Sequence, residues 1–164
     1  MLLLMSRLKP LLVMTTIVLI ISSPTRAQKN LRAWVGKYPV SRERQFHNVF
    51  RTSPLNARLR QLLGPSYYRR ITFDDHFVMG PISLVADRYA VIAMCEQHNC
   101  VSKQTFMAVN IERGDVHVAL YHYGTLDWYH TVGKSSDLPR PVLDELDQLL
   151  PPPKSVHEKT RGAT

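Results

Sequence analysis

The sequence predicts an α+β fold, with an antiparallel β-sheet of about five strands flanked by an N-terminal and a C-terminal helix. Leucines recur at helical spacing near residue 60 and again near residue 145. The chain between them is rich in β-branched and aromatic residues, and turn signals separate its apolar runs. With 164 residues, of which 45% are hydrophobic, the chain has enough apolar material for one domain with tails.

The first helix is predicted over residues 52–64. Ser53 is a suitable N-cap, Pro54 suits the first helical position, and Gly64 can adopt the left-handed conformation that ends a helix. Four leucines share one face and predict that this helix packs on the sheet: Leu55, Leu59, Leu62 and Leu63.

Strand-like runs follow, at 71–79, 81–85, 89–94, 106–111, 116–121 and 125–130, the first two being separated by Gly80. The run 89–94 is apolar on both faces and is predicted to be a central strand. The turn at 112–115 predicts a hairpin. In its second strand, alternation predicts that Val116, Val118 and Leu120 face the core.

The last predicted element is a short helix that opens at Pro141 and ends before three prolines at 151–153. Asp144 and Glu145 lie in its early turns, where the helix dipole favours negative charge. Its inner stripe is predicted to be Leu143, Leu146, Leu149 and Leu150. The polar tail over residues 151–164 is predicted to be disordered.

The N-terminus has the layout of a secretory signal peptide over residues 1–27. Arg7 and Lys9 precede an apolar run at 11–21, and small residues lead to a predicted cleavage after Ala27. The apolar run is too short to span a bilayer, so no membrane attachment is expected after cleavage. Residues 28–44 are predicted to be a linker or arm, and residues 45–150 the folded domain.

The charge of the mature chain is moderately basic. Removing Arg7, Lys9 and Arg26 with the signal peptide leaves 18 basic and 13 acidic residues, a net charge of +5. The basic residues are scattered rather than clustered, and an exported protein does not meet nucleic acid. We therefore expect no nucleic-acid partner and interpret these charges mainly as solvated surface.

Both cysteines of the chain lie in one short segment, Cys95-Glu96-Gln97-His98-Asn99-Cys100, which admits three interpretations. A zinc site using Cys95, His98 and Cys100 needs a fourth ligand, and no second cysteine pair exists to supply it. A redox pair ordinarily has two intervening residues at the start of a helix, not four after a strand. Export favours a disulfide, which closes a small ring worth roughly 2 kcal/mol and orders residues 96–99.

Catalytic patterns are sparse. Asp74 and Asp75 are neighbours, so on a strand they point to opposite faces and do not share a proton. The chain has no nucleophile-elbow, phosphate-loop or zinc-protease motif. We therefore predict that the protein is not an enzyme and needs no cofactor or metal.

The cysteine loop also resembles a known family. A C-x-x-H-x-C segment after an apolar strand, a leucine-bearing helix upstream and a hairpin downstream resemble the inhibitors of vertebrate lysozyme, with a likeness that extends from about residue 46 to 150. The resemblance implies a periplasmic protein, often a homodimer, whose loop enters a lysozyme or another muramidase. Better-known members carry lysine, proline, aspartate and glycine where this chain has Glu96, Gln97, Asn99 and Val101.

In that family the loop histidine meets the two catalytic carboxylates, a role that falls here to His98. Glu96, Gln97 and Asn99 would then contact the target beside it, and Cys95 and Cys100 would close the loop. Glu96 is expected either to repel an acidic cleft or to pair with basic residues at the rim of that cleft. The alternative is a cell-envelope binding or scaffold module in which the disulfide is purely structural.

Overall fold

The computed structural model describes residues 31–40, 48–52, 54–73 and 77–160. Several predictions lie outside these residues. They are the signal peptide, the Ser53 N-cap, the Asp74–Asp75 pair and the last four residues of the predicted tail.

Six of the seven strands lie between the two α-helices in the chain, and the seventh strand follows the second helix. Their bounds are α1 (Leu55–Phe73), β1 (Phe77–Met79), β2 (Ser83–Val85), β3 (Tyr89–Glu96), β4 (Lys103–Asn110), β5 (Val116–His122), β6 (Thr125–His130), α2 (Arg140–Leu149) and β7 (Ser155–Thr160). Two short 3-10 helices, Val49–Arg51 and Ser135–Asp137, precede α1 and α2.

The described residues form one seven-stranded sheet in the order β1-β3-β4-β5-β6-β7, with β2 pairing with β3 beside β1. All pairs are antiparallel except β6–β7, which is parallel. The predicted α+β class is confirmed. The expected number of about five strands is too low, because each of the six strand-like runs contains a strand and the C-terminal tail adds β7.

Helix α1 buries the face that the leucine spacing predicts. Leu55, Leu59, Leu62 and Leu63 all belong to its buried side. Gly64 has φ +77°, so the helical path breaks where the sequence predicts an end. Pro65 then starts a second helical segment, because proline lacks an N–H and suits the first position. The prediction of a strand from Ile71 is wrong, since Ile71 is a buried residue of α1.

The sheet has a hydrophobic cluster on each face. Ile92, Met107 and Val118 join the leucines of α1 in one cluster. Their strand neighbours Val91 and Phe106 belong instead to a second cluster, which includes residues of α2. Since successive residues of a strand point to opposite faces, the two clusters lie on opposite sides of the sheet.

The predicted β4–β5 hairpin is confirmed, and Val116, Val118 and Leu120 are buried as expected. The opposite face of β5 is buried as well, because α2 covers it. In α2, Val142 and Leu146 are buried, whereas Leu149 is exposed. The predicted inner stripe is therefore wrong at Leu149, and Val142 takes its place in the core.

The segment predicted to be a linker or arm is attached to the domain over residues 31–40. Leu31 is buried in the cluster on the α1 side, and Trp34 packs against that cluster. The N–H of Gly36 donates to the carbonyl of Ile82 (2.8 Å), and the N–H of Ile82 donates to the carbonyl of Lys37 (2.9 Å). Two backbone hydrogen bonds to a buried residue exclude a loose linker for this part.

The prediction of a disordered tail is wrong for residues 155–160, which form β7 on the outer edge of β6. The strand is polar and mostly exposed, so it lacks the hydrophobic alternation by which a strand is recognised. Its stability comes from pairing and side-chain contacts. Asp127 of β6 lies 3.0 Å from His157 Nδ1 and 3.1 Å from Lys159 Nζ.

A partly buried contact fixes the middle of β7. Glu158 Oε2 lies 2.6 Å from Nε2 of His130, a side chain with no solvent exposure. Ser135, in the 3-10 helix before α2, donates to the same carboxylate from its hydroxyl and its N–H. Glu158 therefore connects β7 with β6 and with the segment that leads into α2.

Neither α1 nor α2, the helices of the described part, has the length and apolar character needed to cross a membrane.

Replacing Glu158 with glutamine tests this contact. Glutamine has nearly the same shape as glutamate, but it lacks the negative charge of the carboxylate that accepts hydrogen bonds from His130 and Ser135. We expect a loss of about 1.5 kcal/mol in the free energy of unfolding, the lower end of the range for hydrogen bonds to charged groups, because solvent screens the partly exposed carboxylate. Urea unfolding measures this loss. The matched change Glu112→Gln, at an exposed carboxylate, should alter stability by less than about 1 kcal/mol, and equal losses in both variants would contradict the assigned contact.

Candidate functional site: the closed loop after strand β3

Cys95 and Cys100 form a disulfide across the turn at the end of β3, with their Cα atoms 4.8 Å apart. The predicted pairing is confirmed, and neither cysteine is a free thiol. Over the residues that the structure describes, no group of three histidine, cysteine, aspartate or glutamate side chains is placed to hold a metal ion.

The loop contains a tight turn with His98 in a left-handed backbone conformation. The N–H of Asn99 donates to the carbonyl of Glu96 (2.9 Å), and His98 has φ +66°. A four-residue turn with positive φ only at its third residue is type II, and this position favours glycine or asparagine. Histidine is therefore less favourable than glycine or asparagine for the backbone conformation at this position.

The backbone of Asn99 connects the turn with the next strand. Its carbonyl accepts from the N–H of Ser102 (2.9 Å) and from the N–H of Lys103 (2.8 Å), the first residue of β4. The loop therefore has a covalent closure at the cysteines and backbone hydrogen bonds on both sides of Asn99. This leaves few conformations for the backbone of residues 96–99.

The predicted contact residues differ in exposure. Gln97 and His98 are exposed at the tip of the loop, whereas Glu96 and Asn99 are half-buried. The structure thus places the four predicted residues in one turn, with Gln97 and His98 more exposed than Glu96 and Asn99.

The carboxylate of Glu96 is paired within the chain. It lies 2.6 Å from Lys103 Nζ and 3.3 Å from Nη2 of Arg70 in α1. The hydrogen bond from Lys103 is the main reason that the pKa of Glu96 is lower than usual. Both expectations for Glu96, repulsion by an acidic cleft or pairing with basic residues at its rim, concern the target protein and stay predictions; within its own chain, Glu96 is paired with Lys103 and Arg70. Sequence reasoning missed Lys103 and Arg70.

The β5–β6 turn lies against this loop. The N–H of Tyr123 donates to the carbonyl of Ser102 (2.8 Å), so the two connections at this end of the sheet share a backbone hydrogen bond. Tyr123 is an exposed aromatic side chain. The sequence analysis does not single out Tyr123, although it lies with Gly124 between the predicted strands 116–121 and 125–130, in a short turn that could have placed it at the sheet end.

A second polar cluster lies in the sheet. His117 Nδ1 is 2.8 Å from Nδ1 of His130, whose Nε2 contacts Glu158. Trp128 stacks on the His130 ring at 5.3 Å between centroids. Burial raises the pKa of Glu158, but hydrogen bonds from Ser135 and His130 outweigh it and hold the pKa below its usual range.

Proton positions in this cluster follow from its chemistry. An ionised carboxylate only accepts, so His130 Nε2 carries the proton in its contact with Glu158. Burial, followed by the neighbouring His130, lowers the pKa of His117 to about 4, so His117 is neutral at pH 7. The cluster therefore connects β5, β6 and β7 without a charge on His117.

A rigid scaffold with one covalently closed, exposed turn is typical of proteins that bind a partner through a preformed loop. The comparison with protein families agrees with this class. The model of the inhibitor of vertebrate lysozyme family (Ivy) matches residues 54–152, more than half of the chain, and the chain belongs to that family. The resemblance in the sequence is confirmed, and family members inhibit lysozyme rather than catalyse a reaction. The match includes the closed loop and ends before β7.

No curated protein and no solved structure matches the chain.

Stability should fall in acid because of His117. Its folded pKa, about 4, lies below its ordinary value of 6.5, so the unfolded chain binds more protons between these values. The contribution of His117 is complete above pH 6.5 and is lost as the pH falls to 4, by roughly 3 kcal/mol in total. Urea unfolding from pH 7.5 to 4 measures this loss.

The variant His117→Gln should have a flatter pH profile over the same window, whatever its stability at pH 7. His122→Gln, which changes an exposed histidine at the end of the same strand, should keep the wild-type slope. An unchanged slope in His117→Gln would contradict the assignment, because another group would then carry the pH dependence.

Proposed function

We propose that the mature chain is an exported, non-enzymatic inhibitor of lysozyme or a related muramidase, and that its Cys95–Cys100 loop presents His98 to the catalytic carboxylates. Membership of the lysozyme-inhibitor family supports the target class. The observation that carries the loop proposal is the exposure of His98 at φ +66° in a disulfide-closed turn. An oxidised cysteine pair fits an exported, periplasmic protein.

The chemistry of the target suits an imidazole. A retaining glycosidase holds two carboxyl groups about 5 Å apart and needs one of them protonated. An imidazole between them donates a hydrogen bond to a carboxylate and occupies the space that the sugar requires. Because the disulfide and the bonds of Asn99 already order the loop, binding loses little conformational entropy.

Glu96 has a positioning role in this proposal. Its carboxylate is held by Lys103 and Arg70, so its negative charge is compensated before the loop approaches an acidic cleft. Gln97 and Asn99 then provide the contacts beside His98. A homodimer, which the family resemblance implies, stays a prediction that a molar-mass measurement in solution can test.

The variant His98→Asn tests the proposed contact. Asparagine tolerates the left-handed conformation, so the turn is kept while the imidazole is removed. We expect the inhibition constant for a c-type lysozyme to rise by at least about 30-fold, the scale of an interface hot spot, with no fall in melting temperature. His157→Asn, at an exposed histidine on β7, should leave inhibition unchanged. Equal inhibition by wild type and His98→Asn would exclude the proposed role of His98.

The disulfide is tested separately by changing Cys95 and Cys100 together to serine. Opening a ring of this size is expected to reduce the free energy of unfolding by roughly 2 kcal/mol. Inhibition should weaken as well, because the loop then has to order on binding. A purely structural disulfide in an envelope scaffold module predicts a different result: stability falls, and neither this variant nor His98→Asn changes lysozyme binding.

A further inference from the structure

The two most exposed large apolar side chains of the described residues lie at the loop end of the sheet. They are Val101, with 77% of its surface exposed, and Tyr123, with 62% exposed. Val101 directly follows the disulfide, and Tyr123 is in the β5–β6 turn that bonds to Ser102. Together with His98 they form what we term the loop-end surface.

Tyr123 has an unfavourable backbone conformation for its residue type. Tyr123 (φ +49°) and Gly124 (φ +92°) are the central residues of a two-residue hairpin turn, which is type I′ because both φ values are positive. Asparagine, aspartate or glycine is favoured at the first of these positions, and a bulky residue with positive φ is strained. Backbone strain at exposed positions is concentrated at functional sites.

The described residues contain four non-glycine positions with positive φ: Ala86, Asp87, His98 and Tyr123. The first two form the β2–β3 turn at the other end of the sheet, with a small and a turn-favouring residue. The other two carry exposed rings and lie in adjacent, hydrogen-bonded turns. The loop-end surface therefore contains two residues, His98 and Tyr123, whose side chains are not the ones that their turn conformations favour.

The ring of Tyr123 is held in position before any partner arrives. The ring of His122 contacts it edge-on at 4.7 Å between centroids, and Lys103 Nζ lies 5.8 Å from its centroid. Lys103 is also the residue that pairs with Glu96, so the same side chain contacts both turns. An ordered aromatic side chain loses little entropy on binding, which is a property of interface hot spots.

We propose that Tyr123, together with Val101, is a second anchor for the inhibited lysozyme and contacts an apolar patch on the rim of its cleft while His98 enters the cleft. This inference rests on the proposed function and adds a site to it. Charge does not carry this contact, because Lys103 is already paired with Glu96. Tyr123 and Val101 instead contribute apolar area beside His98. On binding, such an aromatic anchor excludes water from the hydrogen bond that a neighbouring polar residue makes.

The test is the variant Tyr123→Asn, which supplies the residue that the turn favours. We expect the inhibition constant for a c-type lysozyme to rise at least about tenfold, while the melting temperature stays the same or rises. A gain in stability with a loss of inhibition separates a binding role from a structural one. Tyr123→Phe, which keeps the ring, should inhibit within about twofold of wild type.

The matched control is Ala86→Asn, at the equivalent position of the type I′ turn at the opposite end of β3. It should leave inhibition unchanged and not lower the melting temperature.

Unchanged inhibition in Tyr123→Asn, or a loss in Tyr123→Phe as large as in Tyr123→Asn, would overturn the second anchor. If His98→Asn then fails to inhibit the lysozyme, the proposed function stands without the second anchor. If wild type and His98→Asn behave alike towards the lysozyme, the proposed function itself fails.

Discussion

The closure of the β3–β4 connection is the constraint on which the candidate site depends. A disulfide joins Cys95 to Cys100, and the backbone of Asn99 bonds on one side to Glu96 and on the other to Ser102 and Lys103. Without these bonds, a histidine in a left-handed conformation would relax to a more populated backbone region. The covalent and hydrogen-bonded closure therefore determines where His98 lies relative to the sheet.

The sheet provides a rigid base for that loop because both of its faces are covered. The α1 side and the α2 side each have a buried cluster, so β3, β4 and β5 are fixed from two directions. A rigid scaffold of this kind positions the loops that connect its strands, which is where binding residues are concentrated. The ion pairs of Glu96 extend this support from the strands to the base of the turn, through Lys103 of β4 and Arg70 of α1.

The C-terminal strand has a different kind of stability. β7 lies beyond the family match and has little apolar surface, so hydrophobic burial does not hold it. It is held by backbone pairing with β6 and by the carboxylate of Glu158, which reaches the buried His130. His130 in turn contacts His117, whose pKa burial lowers to about 4, so the histidine beside this anchoring contact is neutral at pH 7.

The sequence alone determined the features that have a local pattern. The leucine spacing predicted the buried face of α1, the Gly-containing turn predicted the β4–β5 hairpin, and the cysteine segment predicted the closed loop. Each of these depends on residues close together in the chain, whose period or spacing is visible without the fold. The family resemblance rested on the same three features, of which the cysteine segment is the most specific.

Tertiary structure decided the features that depend on partners distant in the chain. β7 has no strand pattern of its own and forms because β6 presents an open edge and His130 donates a hydrogen bond to Glu158. The pairing of Glu96 with Arg70 joins residues 26 positions apart. The contact of Tyr123 with Ser102 joins two separate turns. No local pattern encodes these pairings, because the hydrogen bonds and charges involved have no fixed sequence spacing.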